Sequence, residues 1–166
     1  MLTHPDLQRS IEAIDDVVGA LALADLDRAP TRGWSIAQIL EHLGKAYGST
    51  AYILDKCVTD GAPKGRSPSL TQRFFATLII DVGYFPRGVR APEITVPTGM
   101  GGAEAVAYSR TQLQALDTAA ARCLERFGPR VRVANHPILG GFTVPQWQRF
   151  HWRHTRHHVR QIATRR

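Results

Sequence analysis

From Gln146 through Arg166 the chain has no glycine or proline, so nothing local interrupts a helix there. Its start is marked as well. Thr143 stands three positions before Gln146, the spacing at which two side chains satisfy free N–H groups at a helix N-terminus. Pro145 falls in the first turn, where a missing N–H costs nothing. The helix predicted over TVPQWQRFHWRHTRHHVRQIATRR is amphipathic, and the rest of the chain must supply the surface that covers its apolar side. It also holds four histidines, His151, His154, His157 and His158. His154 and His158 are four apart and project from one face, so one divalent metal can take a nitrogen from each.

A pair is too few, because zinc-type sites use at least three protein ligands. The strongest upstream candidate is His42, in WSIAQILEHLGKAYGS. There Ser35 and Gln38 repeat the capping spacing, and Trp34 with Ile39 makes a hydrophobic staple, so a helix is predicted from Ser35 to about Thr59. Ile39, His42, Ala46, Thr50 and Ile53 share one stripe of it. His42 is therefore expected to point inward among apolar neighbours.

The remaining elements follow from periodicity and punctuation. Thr3 is the expected cap of a first helix that ends near Leu26, with a seam of Leu7, Ile11, Ile14, Val18 and Leu21. A shorter apolar segment, Leu70 to Val82, is expected to be helical. Residues 84–102 hold three prolines and four glycines and read as a long loop, of a length that is often functional and able to fold over a pocket mouth. Ala103 to Phe127 is the next long helix, stopped by Gly128-Pro129. A short extended piece is expected at Val131 to Val133. The sum is an all-α, four-helix bundle with an extra short helix and a long loop between helices 2 and 3, formed as a single domain over residues 1–166.

Composition removes several function classes. No apolar run is long enough to cross a membrane, and MLTHPDLQRS lacks a signal-peptide layout. Cys57 and Cys123 sit on separate helix seams and read as small core residues in a reduced, cytoplasmic protein. The net charge is +7, and no acid follows Glu125. Arg149, Arg153, Arg156 and Arg160 form a stripe on the last helix that a nucleic-acid binder could set against phosphates. No groove-reading or base-stacking motif accompanies it, so a solvated outer face pairing with acids such as Asp15 or Asp16 is the preferred reading. Trp147, Phe150 and Trp152 read as core or dimer-contact aromatics.

Two segments together resemble the signature regions of the DinB/YfiT-like superfamily. GWSIAQILEHL is similar to its W-S-x-x-x-x-x-x-H-L second helix. HPILGGFTVPQWQRFHWRHTRHHVRQI is similar to its H-P-x-x-G-x-x-T-x-x-x-W and H-x-x-H-H-x-x-Q-I closing region. Both ends of the bundle are covered; residues 60–102 carry no motif of the family. The resemblance implies a helical bundle, frequently a homodimer, with a divalent metal held by His42, His154 and His158. His157 matches the middle histidine of H-x-x-H-H and is not expected to be a ligand. Some such proteins are transferases using bacillithiol, mycothiol or glutathione, and the resemblance carries no DNA-repair chemistry.

Three neutral imidazoles leave an open position, the layout of a catalytic site, at which water or a thiol could be activated toward a small molecule. Zinc, nickel, iron or manganese would all suit such a donor set. Glu41 and Gln161 are candidates to orient a ligating imidazole; His136 and His151 are candidates to line the pocket. The sequence thus favours a metal-dependent enzyme acting by thiol transfer or hydrolysis. The rival is a non-catalytic dimeric bundle that meets an anionic partner or nucleic acid through its arginine face.

Overall fold

The computed structural model describes residues 1–86 and 90–165. In chain order the helices are α1 (Pro5–Gly19), a four-residue α2 (Leu23–Leu26), α3 (Ile36–Asp60), α4 (Leu70–Thr77), α5 (Gly102–Phe127) and α6 (Val144–Ala163). α4 runs on into a π turn, Leu78–Val82, and the long loop after it holds a 3-10 turn, Glu93–Thr95. A hairpin of β1 (Arg132–His136) and β2 (Gly140–Thr143) joins α5 to α6. Residues 87–89 of the expected loop and Arg166 of the expected last helix lie outside the described residues.

The four long helices form the bundle. α3 packs along α5, and α1 along α6. Their shared core includes Leu40, Leu43, Tyr47, Leu54, Leu113 and Leu116, each fully buried. Gly44 lets α5 come close, since a Cβ there would stand 2.5 Å from the Tyr108 ring. Cys57 and Cys123 are free and buried, and the Cys57 thiol donates to the Val133 carbonyl at 3.1 Å. Among the described residues no helix is long and apolar enough to cross a membrane.

The capping pairs form as their spacing requires. Ser35 Oγ accepts the Gln38 N–H at 3.2 Å while Gln38 Oε1 accepts the Ser35 N–H at 2.9 Å, and Thr143 and Gln146 repeat the exchange at the head of α6. Ser69 and Gln72 do the same for α4.

Three local expectations need correction. The cap of α1 is His4, whose Nδ1 accepts the Asp6 N–H at 3.2 Å. Thr3 is taken instead by Asp117 of α5, which accepts its N–H at 2.6 Å and its hydroxyl at 2.9 Å; a buried carboxylate needs those donors more than the helix end does. The first helix stops at Gly19, and a separate four-residue helix, α2, reaches Leu26, so the structure has a long and a short helix where one was expected. The extended piece is a full hairpin. Its second strand is hidden in the sequence because Gly140-Gly141 reads as a turn. Those glycines face a strap, residues 64–68, that crosses the hairpin: the Lys64 N–H donates to Val133 at 2.8 Å. A Cβ on Gly141 would sit 2.1 Å from the Arg66 carbonyl oxygen.

Candidate metal centre

α3 and α6 bring His42, His154 and His158 together, with one ligand atom of each lying within 4.8 Å of the others. Nε2 of His154 is 3.0 Å from Nε2 of His158 and 3.2 Å from Nε2 of His42. Nitrogens on a tetrahedral ion at ~2.0–2.1 Å stand about 3.3 Å apart, so the two spacings at His154 suit a common cation to within a few tenths of an ångström.

The other ring nitrogens decide which atoms face inward. His42 Nδ1 lies 2.9 Å from the Thr95 carbonyl oxygen, which can only accept, so Nδ1 carries the proton and Nε2 presents a lone pair. His158 Nδ1 donates to Gln161 Oε1 at 2.9 Å, and the Gln161 amide is oriented by donating to His157 Nε2 at 3.0 Å. His158 Nε2 therefore also presents a lone pair. His154 Nδ1 is buried without a partner among the described residues. Whichever nitrogen of His154 holds its proton, one proton cannot satisfy three converging Nε2 atoms, whereas a cation can.

The rings are kept neutral by their surroundings. Burial pushes His42 below its ordinary value despite the bond to Thr95. Burial, reinforced by neighbouring histidines, pushes His154 well below it, and burial brings His158 down to about 3. The walls are aromatic: Phe150 stacks on His154 at 5.5 Å, and Trp34 packs on His42 at 5.0 Å. Phe85, from the long loop, covers His154 at 5.8 Å and His157 at 4.9 Å. A neutral imidazole is the form that binds metal.

Glu41, expected to orient an imidazole, has a different task. Its side chain leaves α3 about 100° round the helix from that of His42 and is fully buried against the loop. Oε1 accepts the Thr98 N–H and hydroxyl, both at 2.7 Å; Oε2 accepts the Gly99 N–H at 2.9 Å and the Met100 N–H at 3.0 Å. Lys45 adds an ion pair at 2.9 Å. Burial alone would raise this carboxyl, but Lys45 and the loop donors outweigh it and hold it well below the usual range. Glu41 thus clamps the loop segment that carries Thr95.

His151 and His136 do not enter the imidazole group. His151 is buried one turn deeper, with Nε2 3.0 Å from the Thr50 hydroxyl and its ring on Trp147. His136 sits among Phe142, Trp147 and Phe150, and its Nδ1 accepts two N–H groups of the hairpin turn at 3.2 Å. Both belong to an aromatic block beneath the cluster rather than to a pocket wall. Thr95 and Phe85 have no signature in the sequence: each acts through the path the loop takes. The arginine stripe is also divided. Arg153 donates to the Ile80 and Asp81 carbonyls at 3.0 and 2.8 Å, and Arg149 faces Asp81 at 3.8 Å. Asp15, one of the two acids expected to pair with the stripe, pairs with Arg110 of α5.

A family model described as the DinB superfamily matches residues 6–162, nearly the whole chain. Neither the curated proteins nor the solved structures gave a match.

Proposed function

The chain belongs to the DinB superfamily, and from that premise we propose that it is a metal-dependent enzyme whose ligands are His42, His154 and His158. The observation that carries this reading is the convergence of three Nε2 atoms, two with their lone pairs set by Nδ1 partners. A divalent ion held by these three imidazoles would supply Lewis acidity, lowering the pKa of a water or thiol.

The chain's own residues do the rest. Thr95 and Gln161 orient two of the rings. Trp34, Phe85 and Phe150 exclude water around them, which strengthens charge interactions within the site. Glu41 keeps the loop, and with it Thr95, in place. The substrate is a small molecule and the reaction thiol transfer or hydrolysis; the low-molecular-weight thiol and the homodimer come to this reading from the family resemblance.

Elemental analysis of the purified protein tests it. About one divalent ion per chain, lost in His42→Ala while the helical circular-dichroism spectrum is kept, is the expected result, and a wild-type protein that binds no added Zn²⁺, Ni²⁺, Fe²⁺ or Mn²⁺ overturns it. A thermal-shift series with bacillithiol, mycothiol and glutathione on the metal-loaded protein then separates thiol transfer from hydrolysis, since a ligand of the folded state raises its melting temperature.

A further inference from the structure

At the hairpin, among residues outside the imidazole cluster and its loop, lies a cavity of about 370 Å³ between α4, the π turn, the hairpin and the head of α6. Three arginines line it: Arg73 from α4, Arg132 from β1 and Arg149 from α6. Among the described residues Asp81 is the one carboxylate in its wall, and at 3.8 Å it makes a loose pair with Arg149. Neither Arg73 nor Arg132 has an ion-pair partner among the described residues. Pro68 and Pro145 add accessible apolar surface beside the arginines, over the buried Ile80 and Phe142.

Like charges gathered round a concave, low-dielectric surface focus a positive potential that an incoming anion relieves. The guanidinium fork matches the geometry of a carboxylate or phosphate, which it can grip through two parallel hydrogen bonds. The lining thus offers charge from the arginines and apolar surface from the two prolines side by side. Ile80 and Asp81, on one wall, belong to the π turn, a rare backbone form that is frequent at functional sites. The volume lies at the lower end of the range for small-molecule sites, too small for a folded partner.

We propose that this cavity binds a small amphiphilic anion, a carboxylate or phosphate monoester whose charged group meets Arg73, Arg132 and Arg149 while its apolar body rests on Pro68 and Pro145. The site is separate from the imidazole cluster, with which it shares no lining residue, and it stands whether or not the metal reading does. It also accounts for part of the positive excess of the chain.

Isothermal titration of the full chain at low salt tests it, with phenyl phosphate and benzoate as amphiphilic probes and inorganic phosphate and phenol as their separated halves. Saturable one-to-one binding of at least one amphiphilic anion, inorganic phosphate weaker by about tenfold and no binding of phenol are expected. Arg132→Gln and Arg149→Gln should each weaken the bound probe by about tenfold or more, the loss of a charged hydrogen bond, while His154→Ala binds it as the wild type does. Should either glutamine variant melt early, Arg132→Lys and Arg149→Lys carry the test, since they keep the charge, lose the fork and should fall between wild type and glutamine. No saturable binding of either amphiphilic anion, arginine variants that bind at full strength, or loss of binding in His154→Ala would each overturn the proposal. So would a single-stranded oligonucleotide that binds more tightly than the probe and loses its affinity in the same variants, which would hand the surface to nucleic acid.

Discussion

His151 and His154 are three residues apart on α6, and each has a nitrogen whose partner is another side chain. His151 meets the Thr50 hydroxyl at 3.0 Å, beside a Tyr47–Thr155 hydroxyl pair at 2.5 Å. His154 meets two more imidazoles. The deeper layer is a hydroxyl-bonded core, because a hydroxyl can donate or accept and so adapts to a neutral ring. The upper layer collects acceptors and supplies too few protons for them. Two histidines on one helix thus differ in role through what the neighbouring helix sets opposite them, Thr50 in one case and His42 in the other.

The strongest way to break that contrast is to remove one histidine from each layer. His154→Ala should lower metal affinity by more than the ~10–100-fold typical of an outer-shell partner, read as loss of the bound ion in elemental analysis. His151→Ala should keep the ion and cost about 2–4 kcal/mol of stability in urea denaturation, as a buried ring leaves a hole and a partnerless hydroxyl. If both lose metal, the two layers are one site.

Next in size is the clamp. Glu41→Ala leaves the Thr98, Gly99 and Met100 N–H groups and Lys45 without their carboxylate and should cost about 3–5 kcal/mol, the usual loss when one partner of a buried charge network is removed. Metal competition assays should show affinity falling along with it, because the segment bearing Thr95 is released. Unchanged affinity would separate the loop from the metal.

A finer comparison sets the two ring-orienting partners side by side. Gln161→Ala should weaken metal binding by ~10–100-fold, roughly 1.4–2.7 kcal/mol, visible in the visible spectrum of a Co²⁺-substituted protein. Thr50→Val, which takes the hydroxyl from His151, should leave that spectrum unchanged and cost about 1–3 kcal/mol of stability.

Acid supplies the gentlest probe. Burial takes His136 from the ordinary 6.5 to about 4 and His151 from 6.5 to about 3. Both stay neutral in the fold but gain a proton on unfolding once the pH drops below about 6.5. The folded state is at full strength above that value, and the contribution is lost as pH falls from 6.5 toward 3. Each such histidine adds up to about 1.4 kcal/mol per pH unit to the slope. In metal-free protein, His151→Gln should flatten a plot of unfolding free energy against pH by one histidine's share, leaving the region above pH 7 parallel to the wild type.

Much of this was legible before any coordinates. α3 and α6 begin where expected because a capping box closes between residues three apart, and such a bond needs nothing from the rest of the chain. His42, His154 and His158 stood out by spacing and by two family-like segments, and they do meet. Glu41 was visible as a neighbour of His42 in sequence, yet adjacency along a helix separates side chains instead of joining them. Thr3 has a good capping residue's chemistry, but the acceptor that claims it lies 114 positions away. The hairpin escaped notice because its glycines serve the strap at residues 64–68, another long-range partner.

The amino-acid sequence by itself determined the helices, their inward faces and the three imidazoles available to a cation. Helical periodicity, caps and turns are short-range physics, and they persist wherever the segment is placed. Tertiary structure alone decided that Thr95 and Gln161 aim two lone pairs inward, that Phe85 roofs the cluster, and that Glu41 serves the loop. Those outcomes require particular atoms from distant segments to stand within about 3 Å of one another, a distance that only the packed bundle sets.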